Sequence, residues 1–297
     1  MDVLDGLRAF VATAQTGSFT AAAERLGLSN RLASKYVAEL EQRLGVRLLQ
    51  RTTRRVGLTP AGRDLLLRAP ALLDEVDDML AVAAEGSRGF SGVIRVSAPV
   101  TFGASHVKDL LLRFAAPHPD LSIDLRLDDS HVDLAAQGID LAFRIGAPGQ
   151  QSLKARRLAG IGAALVAAPE YVARRGLPQA PADLAAHDCI LDTNRRSPGQ
   201  WLLRRKDEEV SVRVRGRFMV NSAQVARDMA VSGLGIAYCP HFVLGRALDD
   251  GRLMPVLPEW RSPDAPLSAV WLEGRTLPRK IRALIDFAAE DFRTRLS

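Results

Sequence analysis

Phe10–Gly62 reads FVATAQTGSFTAAAERLGLSNRLASKYVAELEQRLGVRLLQRTTRRVGLTPAG, and its punctuation spells three helices and a hairpin. Just upstream, Leu4, Leu7, Val11 and Ala14 recur at helical spacing beside Phe10, which predicts a first helix ending near Gly17. Thr20 or Ser18 can cap a second, short helix whose small face is Ala21, Ala22 and Ala23 and which closes with Leu26. Gly27-Leu28 makes a tight turn. Ser29 then caps a third helix to about Leu44, and Gly45 stops it. Helix, short turn and helix form the helix-turn-helix pattern, and the alanines let the third helix cross the second closely.

The third helix is two-faced. Ala33, Tyr36, Val37, Leu40 and Leu44 fall on one side at 100° per residue. Arg31, Ser34, Lys35 and Ala38 fall on the other. That outward set is cationic, hydroxylic and small, so it suits a major groove, where Arg and Lys reach guanine acceptors. Ser29 and Asn30 stand at the helix start, where recognition helices meet base edges. Two extended runs follow, Val46–Leu49 and Val56–Leu58, and flank a basic tip, which reads as a β-hairpin wing. Arg51, Thr52, Thr53, Arg54 and Arg55 would then lie along phosphates or enter a minor groove.

Charge supports the same division. Residues 1–60 carry nine Lys and Arg against five Asp and Glu, a balance of +4, while the whole chain of 297 residues carries +6. A basic unit on a nearly neutral body points to a polyanionic partner for that unit alone. An apolar fraction of 47% with 25% charged residues is ordinary for a globular chain of two or three folded units. No apolar run has the length of a membrane span, and the acidic, amphipathic start is unlike a signal peptide, so a cytoplasmic protein is expected. Cys189 and Cys239 imply no disulfide framework; small core residues are the first reading and a redox pair the second.

The whole stretch resembles the N-terminal signature of LysR-type transcriptional regulators. The resemblance is carried by Gly17-Ser18-Phe19, Ala21-Ala22-Ala23, Leu28-Ser29, Leu40-Glu41, Leu44-Gly45, Leu48, Arg51 and Leu58-Thr59-Pro60-Ala61-Gly62. Asn30, Arg31, Leu32 and Leu49 depart from the usual pattern. Further on, Val96-Ser97-Ala98-Pro99, Asp140-Leu141-Ala142, Arg144-Ile145-Gly146 and Gly233-Leu234-Gly235-Ile236 look like the effector domain of that family. The resemblance implies an α/β chain with an N-terminal winged helix-turn-helix, a long linker helix and a two-lobed α/β effector domain resembling type 2 periplasmic binding proteins. It also implies a transcription regulator that binds double-stranded operator DNA, answers to a small effector, assembles as a homodimer or homotetramer and engages RNA polymerase.

Thr59 is a good N-cap and Pro60 suits the first turn of the linker helix, which should continue to about Glu85. Leu65, Ala69, Leu72, Val76, Met79 and Ala83 form a heptad seam that needs a partner helix; in the family, two subunits pair there. Pro70 predicts a bend, and Gly86-Ser87-Arg88-Gly89 a hinge. The expected division is 1–58 for DNA binding, 59–89 for linker and hinge, and 90–297 for effector binding. Its first lobe is 90–161 with 267–297, and its second 162–266.

Strands are expected at Val93–Ser97, Leu121–Leu127, Ile139–Ile145, Ala163–Ala168, Val212–Val220, Gly235–Cys239 and Leu267–Leu272. Helices are expected at Thr101–Phe114, Ser130–Gln137, after Pro169, at Ser222–Val231 and from Pro278 with Ile281, Leu284, Ile285 and Ala288 inward. Ligands of such folds sit at strand C-termini and helix N-termini between lobes. Two corners qualify: Pro99, Val100, Thr101 and Phe102, and Asn221 with Ser222. Free N–H groups and hydroxyls there favour an anion, Arg144 could add charge, and Phe102 an apolar wall for an aromatic effector. The hydroxyls could equally be helix caps. Ser130 and Asp133 read as a capping box. His106, His118, His131, His187 and His241 lack metal-ligand spacing, and no nucleophile elbow, phosphate loop or paired-carboxylate signature appears. An enzyme or a secreted solute-binding protein is the alternative; no metal, cofactor or membrane partner is expected.

Overall fold

The computed structural model describes residues 2–51, 56–84, 89–130, 133–146, 153–195, 197–273 and 277–296, with residues 51, 71, 74, 78 and 81–84 described by their backbone alone. The N-terminal unit is built from α1 (Val3–Thr16), α2 (Phe19–Leu26) and α3 (Asn30–Leu44). Ser18 caps α2 by accepting from the Ala21 N–H, and Ser29 caps α3 by accepting from Leu32 N–H at 3.2 Å. Gly45, at φ +70°, ends α3 in the left-handed conformation that costs glycine little. Ala22, Ala23 and Ala33 are buried, so the two helices approach closely as their small residues allow. Leu7, Phe10, Val11, Val37, Leu40 and Leu48 fill the core.

The end of α3 departs from its apolar periodicity. Leu44 is 47% exposed, while Glu41 is 8% exposed. The Glu41 carboxylate accepts from Leu48 N–H at 2.7 Å and Leu49 N–H at 3.0 Å. Chain reversal at Gly45 brings Leu48 into the core and leaves Leu44 outside. The wing consequently starts later than the apolar run: β1 (Leu49–Arg51) pairs antiparallel with β2 (Val56–Leu58), with Leu49 opposite Leu58. Val46 is exposed and belongs to no strand.

α4 (Pro60–Ala84) begins as anticipated, with Thr59 Oγ1 accepting from Gly62 N–H at 3.0 Å. A β-carbon on residue 62 would lie 2.0 Å from the Leu48 carbonyl oxygen, so only glycine lets the helix start lie against the wing. Pro70 sits inside this uninterrupted helix. The expected seam is split between two uses. Ala69 is buried and Leu65 partly buried in the N-terminal core, joined there by Leu73, and Arg8 pairs with Asp77 at 2.5 Å. Leu72 and Met79 are 50% and 62% exposed, with Val76 half-buried. One side of α4 is thus a wall of its own unit through Leu65, Ala69 and Leu73, while Leu67, Leu72, Met79 and Leu80 stay exposed on the other. The Ala83 side chain and residues 86–88 of the expected hinge lie outside what is described.

Beyond the linker, β3 (Gly92–Ala98) enters α5 (Val100–Phe102), a π-helical turn (Gly103–Val107) and α6 (Lys108–Ala115). β4 (Leu121–Leu127), β5 (Leu141–Ile145), β6 (Leu153–Ile161) and β7 (Ala163–Ala167) follow. Next come α7 (Pro169–Arg175), a 3-10 turn (Pro181–Ala186), β8 (Cys189–Asp192) and the hairpin β9 (Gln200–Arg205) with β10 (Glu208–Arg213). The chain continues through β11 (Phe218–Val220), α8 (Ala223–Val231), β12 (Ile236–Pro240), α9 (His241–Leu244) and α10 (Arg246–Asp249). It closes with β13 (Met254–Val256), β14 (Ala265–Leu272) and α11 (Arg279–Arg295).

Two five-stranded mixed sheets result, ordered β4-β3-β5-β14-β6 and β11-β8-β12-β7-β13. β3 runs parallel to both β4 and β5, and β8 parallel to both β11 and β12. Ile94, Phe102, Leu110, Phe143 and Leu284 centre the first core. The second sheet is packed on both faces, one around Trp201 and Tyr171, the other around Ile190, Ala226 and Ala230. The chain crosses between sheets at Gly162 and again after β13. The crossings are tied together where Ser262 Oγ accepts from Ala163 N–H at 2.7 Å.

Two expected elements differ. The described part of the 130–137 segment is a turn, because the Asp133 carboxylate takes the Ala135 and Ala136 N–H groups at 3.0 and 3.1 Å. Ser130 does not share in a capping box with it; its own N–H donates to Asp128. The apolar run Val212–Val220 belongs to two strands, since β10 pairs with β9 and β11 with β8.

Candidate DNA-reading face and effector cleft

On α3, Arg31, Lys35 and Ala38 are exposed and Ser34 is half-buried, as the helical spacing requires once Ala33, Val37 and Leu40 face the core. Lys35 lies 3.7 Å from Glu39 one turn on, an exposed pair of small energetic weight. Asn30 is exposed, but its amide donates to Thr20 Oγ1 at 3.1 Å, which ties the start of α3 to α2. Thr20 therefore braces the reading helix and Ser18 is the cap. The wing is anchored from below by the Val56 N–H donating to the Gly17 carbonyl. Thr52, Thr53, Arg54, Arg55 and the Arg51 side chain lie outside the described residues.

Between the two sheets lies a cavity of about 830 Å³. Pro99, Thr101, Phe102 and Arg144 line it from the first lobe, as the sequence anticipated, and Ala223 opens α8 on the other side. Thr101 Oγ1 and Ser222 Oγ come within 3.5 Å, so the lobes already touch at the two hydroxyls. Ser222 also caps α8, accepting from Val225 N–H at 3.4 Å. Val100, Asn221 and Ser222 are not on the cavity wall. The Val100 N–H donates to Asp129 Oδ1 at 3.0 Å, and the Asn221 carbonyl accepts from the Asn194 amide at 2.7 Å. The N–H expected to await an anion at the first corner is thus already held by a carboxylate of the chain.

Residues missed by the sequence reading complete the wall: Asp128, Asp129 and Ser130 after β4, Asp192, Asn194 and Arg195 after β8, and Phe242. The first three follow a parallel strand, so the strand-end rule could have found them. The second group has no such signal, because the four-residue, fully buried β8 carries no period. Arg144 donates to Ser97 Oγ at 3.0 Å and to the Phe143 carbonyl at 3.1 Å. Burial holds its guanidinium below the ordinary arginine value, against Asp128 and Asp129, which raise it. Arg195 lies 3.9 Å above the Tyr238 ring and donates to the Tyr238 carbonyl at 3.2 Å. Asp192 is 8% exposed and accepts from Asn194 N–H at 3.0 Å. Burial raises its carboxyl above the usual range; the Asn194 N–H and Arg195 oppose this, and Asp129 adds to it. The Ser130 N–H and side-chain hydroxyl hold Asp128 below that range.

The cysteines are separated by the sheet. Cys189 belongs to one core face and Cys239 to the other, and Cys189 sits opposite Ile236, three residues from Cys239. At ~3.3 Å per strand residue that offset exceeds disulfide reach. Burial pushes each thiol up to about 12. Among the described residues no group of three or more His, Cys, Asp and Glu could hold a metal ion, and no helix is long and apolar enough to cross a membrane.

Comparison with known proteins assigns both units. Residues 4–63 match the family model described as bacterial regulatory helix-turn-helix protein, lysR family, and residues 87–293 match the LysR substrate binding domain. The HTH-type transcriptional regulator PtxR of Pseudomonas aeruginosa is 37% identical over 97% of this chain and 92% of its own length. DmlR of Escherichia coli K12 is 33% identical over 98% of this chain and 95% of its own. CrgA of Neisseria meningitidis, a LysR-type transcriptional regulator of known structure, aligns with a TM-score of 0.61 at 30% identity, covering 96% of this chain and 97% of its own. The full-length structure of the Vibrio cholerae virulence activator AphB aligns at 0.60 and 29%, covering 98% and 99%. With both units matched in order along nearly the whole chain, this protein belongs to the LysR family of DNA-binding transcriptional regulators.

Proposed function

We propose that this regulator reads an operator with the outward face of α3 and is controlled by a small molecule seated between the lobes. The observation that carries the reading is the pairing of an outward face on α3, where Arg31, Lys35 and Ala38 are exposed and Ser34 half-buried, with a wall of charged and aromatic side chains drawn from both lobes. Arg31 and Lys35 reach base edges or phosphates, Ala38 permits close approach, and the basic tip at Arg51–Arg55 tracks the backbone. Two subunits joined through the exposed side of α4, around Leu72 and Met79, present paired reading helices to a two-fold site, and dimers of such dimers give tetramers. The chain division at about residues 58 and 89 follows from this assignment of roles, as does a cytoplasmic setting beside RNA polymerase. An effector changes DNA engagement only by binding one lobe arrangement better than the other.

Ala38→Glu tests the reading face. It sets a carboxylate against the phosphates or base edges without touching the core. Protection of the operator in a nuclease footprint should vanish while the melting temperature stays put. Unchanged protection would remove this face of α3 from the interface.

A further inference from the structure

Among the described residues the cleft carries five charged side chains, Asp128, Asp129 and Arg144 from the first lobe and Asp192 and Arg195 from the second. Among the described residues no two of these five form an ion pair with each other. Neutral groups hold all five instead. Arg144 rests on Ser97 and a carbonyl, Arg195 on the Tyr238 ring and carbonyl. Asp128, Asp129 and Asp192 rest on the backbone N–H groups of Ser130, Val100 and Asn194. Asp192 lines the cavity and is more than nine-tenths buried, and among the described residues its Oδ1 has a hydrogen-bond partner while its Oδ2 has none. Opposite charges that share a cleft and are braced apart leave each sign able to take a ligand charge.

Each lobe presents both signs, and the sum over the five is −1. A simple anion would meet three carboxylates against two guanidiniums, and a simple cation would leave both guanidiniums unanswered. Asp129 acts on Asp192 as a like charge across the cleft, so bringing the lobes together costs electrostatic energy that a ligand cation relieves. Building on the cleft as the effector site, we propose that the effector is a zwitterion with one ammonium and one carboxylate. Its ammonium lies between Asp129 and Asp192, and its carboxylate on Arg144 and Arg195. Three ammonium donors can serve two carboxylates at once, and a guanidinium receives a carboxylate in a fork. Phe102, Phe242 and Ile145 then face the remainder of the molecule.

The test uses the full-length protein and titration calorimetry. The twenty L-amino acids are compared with two analogues of each, the acid lacking the amine and the amine lacking the acid. At least one amino acid should bind saturably, with each of its single-charge analogues about tenfold weaker or more, because the lost charge strands a buried partner. Asp192→Asn should abolish the preference over the acid analogue, and Arg144→Gln the preference over the amine. The proposal is overturned if no amino acid binds, if a single-charge analogue binds as tightly, or if Asp192→Asn leaves the selectivity intact. Ala223→Trp, which fills the cleft, separates the two levels. A ligand of any class that it excludes keeps the cleft as the effector site, whereas ligands it does not affect remove the cleft itself.

Discussion

The reading face and the cleft both concentrate charge, and they hold it in opposite ways. On α3, Arg31 and Lys35 project from a regular helix, and the only brace on Lys35 among the described residues is an exposed pairing to Glu39 at 3.7 Å. In the cleft, each guanidinium and carboxylate is fixed by a neutral partner drawn from the fold. A helix offered to a long, regular polyanion needs no local bracing, because its backbone sets the spacing and the partner supplies many contacts. A pocket for a small molecule has few contacts to spend and must order its side chains beforehand. The precision of the reading face therefore lies beneath it, and that of the cleft within it.

The largest expected effect tests the support under the face. Glu41 sits beneath the wing with two backbone N–H groups on its carboxylate. Glu41→Ala strands both in a buried site and should destabilise the N-terminal unit by about 2–3 kcal/mol. Val100 is exposed, so Asp129→Ala leaves its N–H able to find water and should cost about 0.5–1 kcal/mol. Chemical denaturation followed through each unit measures the two. Equal losses would mean that Glu41 is not the anchor its burial implies.

DNA binding comes next. Arg31→Ala should weaken operator binding by about 1–3 kcal/mol, roughly tenfold to a hundredfold, and relax base preference at one position in each half-site. Lys35→Ala should weaken binding more evenly across sequences and reduce the salt slope by about 1 if its ammonium sits on a phosphate. Fluorescence anisotropy on operator and scrambled duplexes at several salt concentrations separates these outcomes. Neither variant should alter effector affinity, and a change there would couple the two regions more directly than their separate bracing suggests.

How much of this was legible depended on whether local signals and tertiary context agreed. In the N-terminal unit, caps, glycine stops and alanine spacing all pointed one way, so α1 to α3 fall at nearly the expected residues. The errors there are tertiary: Leu44 and Glu41 exchange roles because the chain doubles back at Gly45. The two five-stranded sheets were half legible, β6 at the edge of the first and β8 within the second escaping notice. β6 reads Leu-Lys-Ala-Arg-Arg-Leu-Ala-Gly-Ile, and its charges hide a strand that has β14 as a neighbour on one side and solvent along much of its length. β8 has only four residues, all buried on both faces, and such short apolar runs carry no period. Missing β8 meant missing Asp192 and Arg195. The Ser222 cap was legible because cap chemistry is local, whereas Thr101 caps no helix and meets Ser222 only across the lobes. The charges of the cleft were not legible, because they too meet only through the fold.

Ser222→Ala probes the cleft at smaller scale. It removes a long cap on α8 and the 3.5 Å contact to Thr101, and should lower stability by about 0.5–1 kcal/mol. Thr101→Val keeps the shape and removes only the contact between lobes, so it should leave stability within about 0.5 kcal/mol. If the contact biases the lobe angle, both variants shift the effector's half-saturation point in the same direction. A shift seen in one alone assigns the effect to the cap.

The smallest expected effect is the absence of one, and it bears on the core of the second sheet. Cys239 is fully buried on β12, Cys189 nearly so on β8, and burial holds both thiols protonated up to about 12. Thiolate is the reactive form, so native protein at pH 8 should resist thiol reagents over the time in which an unfolded cysteine, near ~8.5, is consumed. The sign of the linkage follows from the same shift. A thiol whose folded value is raised stabilises the fold in full below the unfolded value. That contribution is lost as pH climbs toward about 12, because the unfolded chain ionises first. Stability measured from pH 7 to 11 should therefore fall through the alkaline range, and Cys189→Ser with Cys239→Ala should flatten the fall. Labelling of either thiol in the folded protein at pH 8 would show that the interior behind the cleft opens, and the contrast between a braced cleft and an exposed reading face would then have to include that motion.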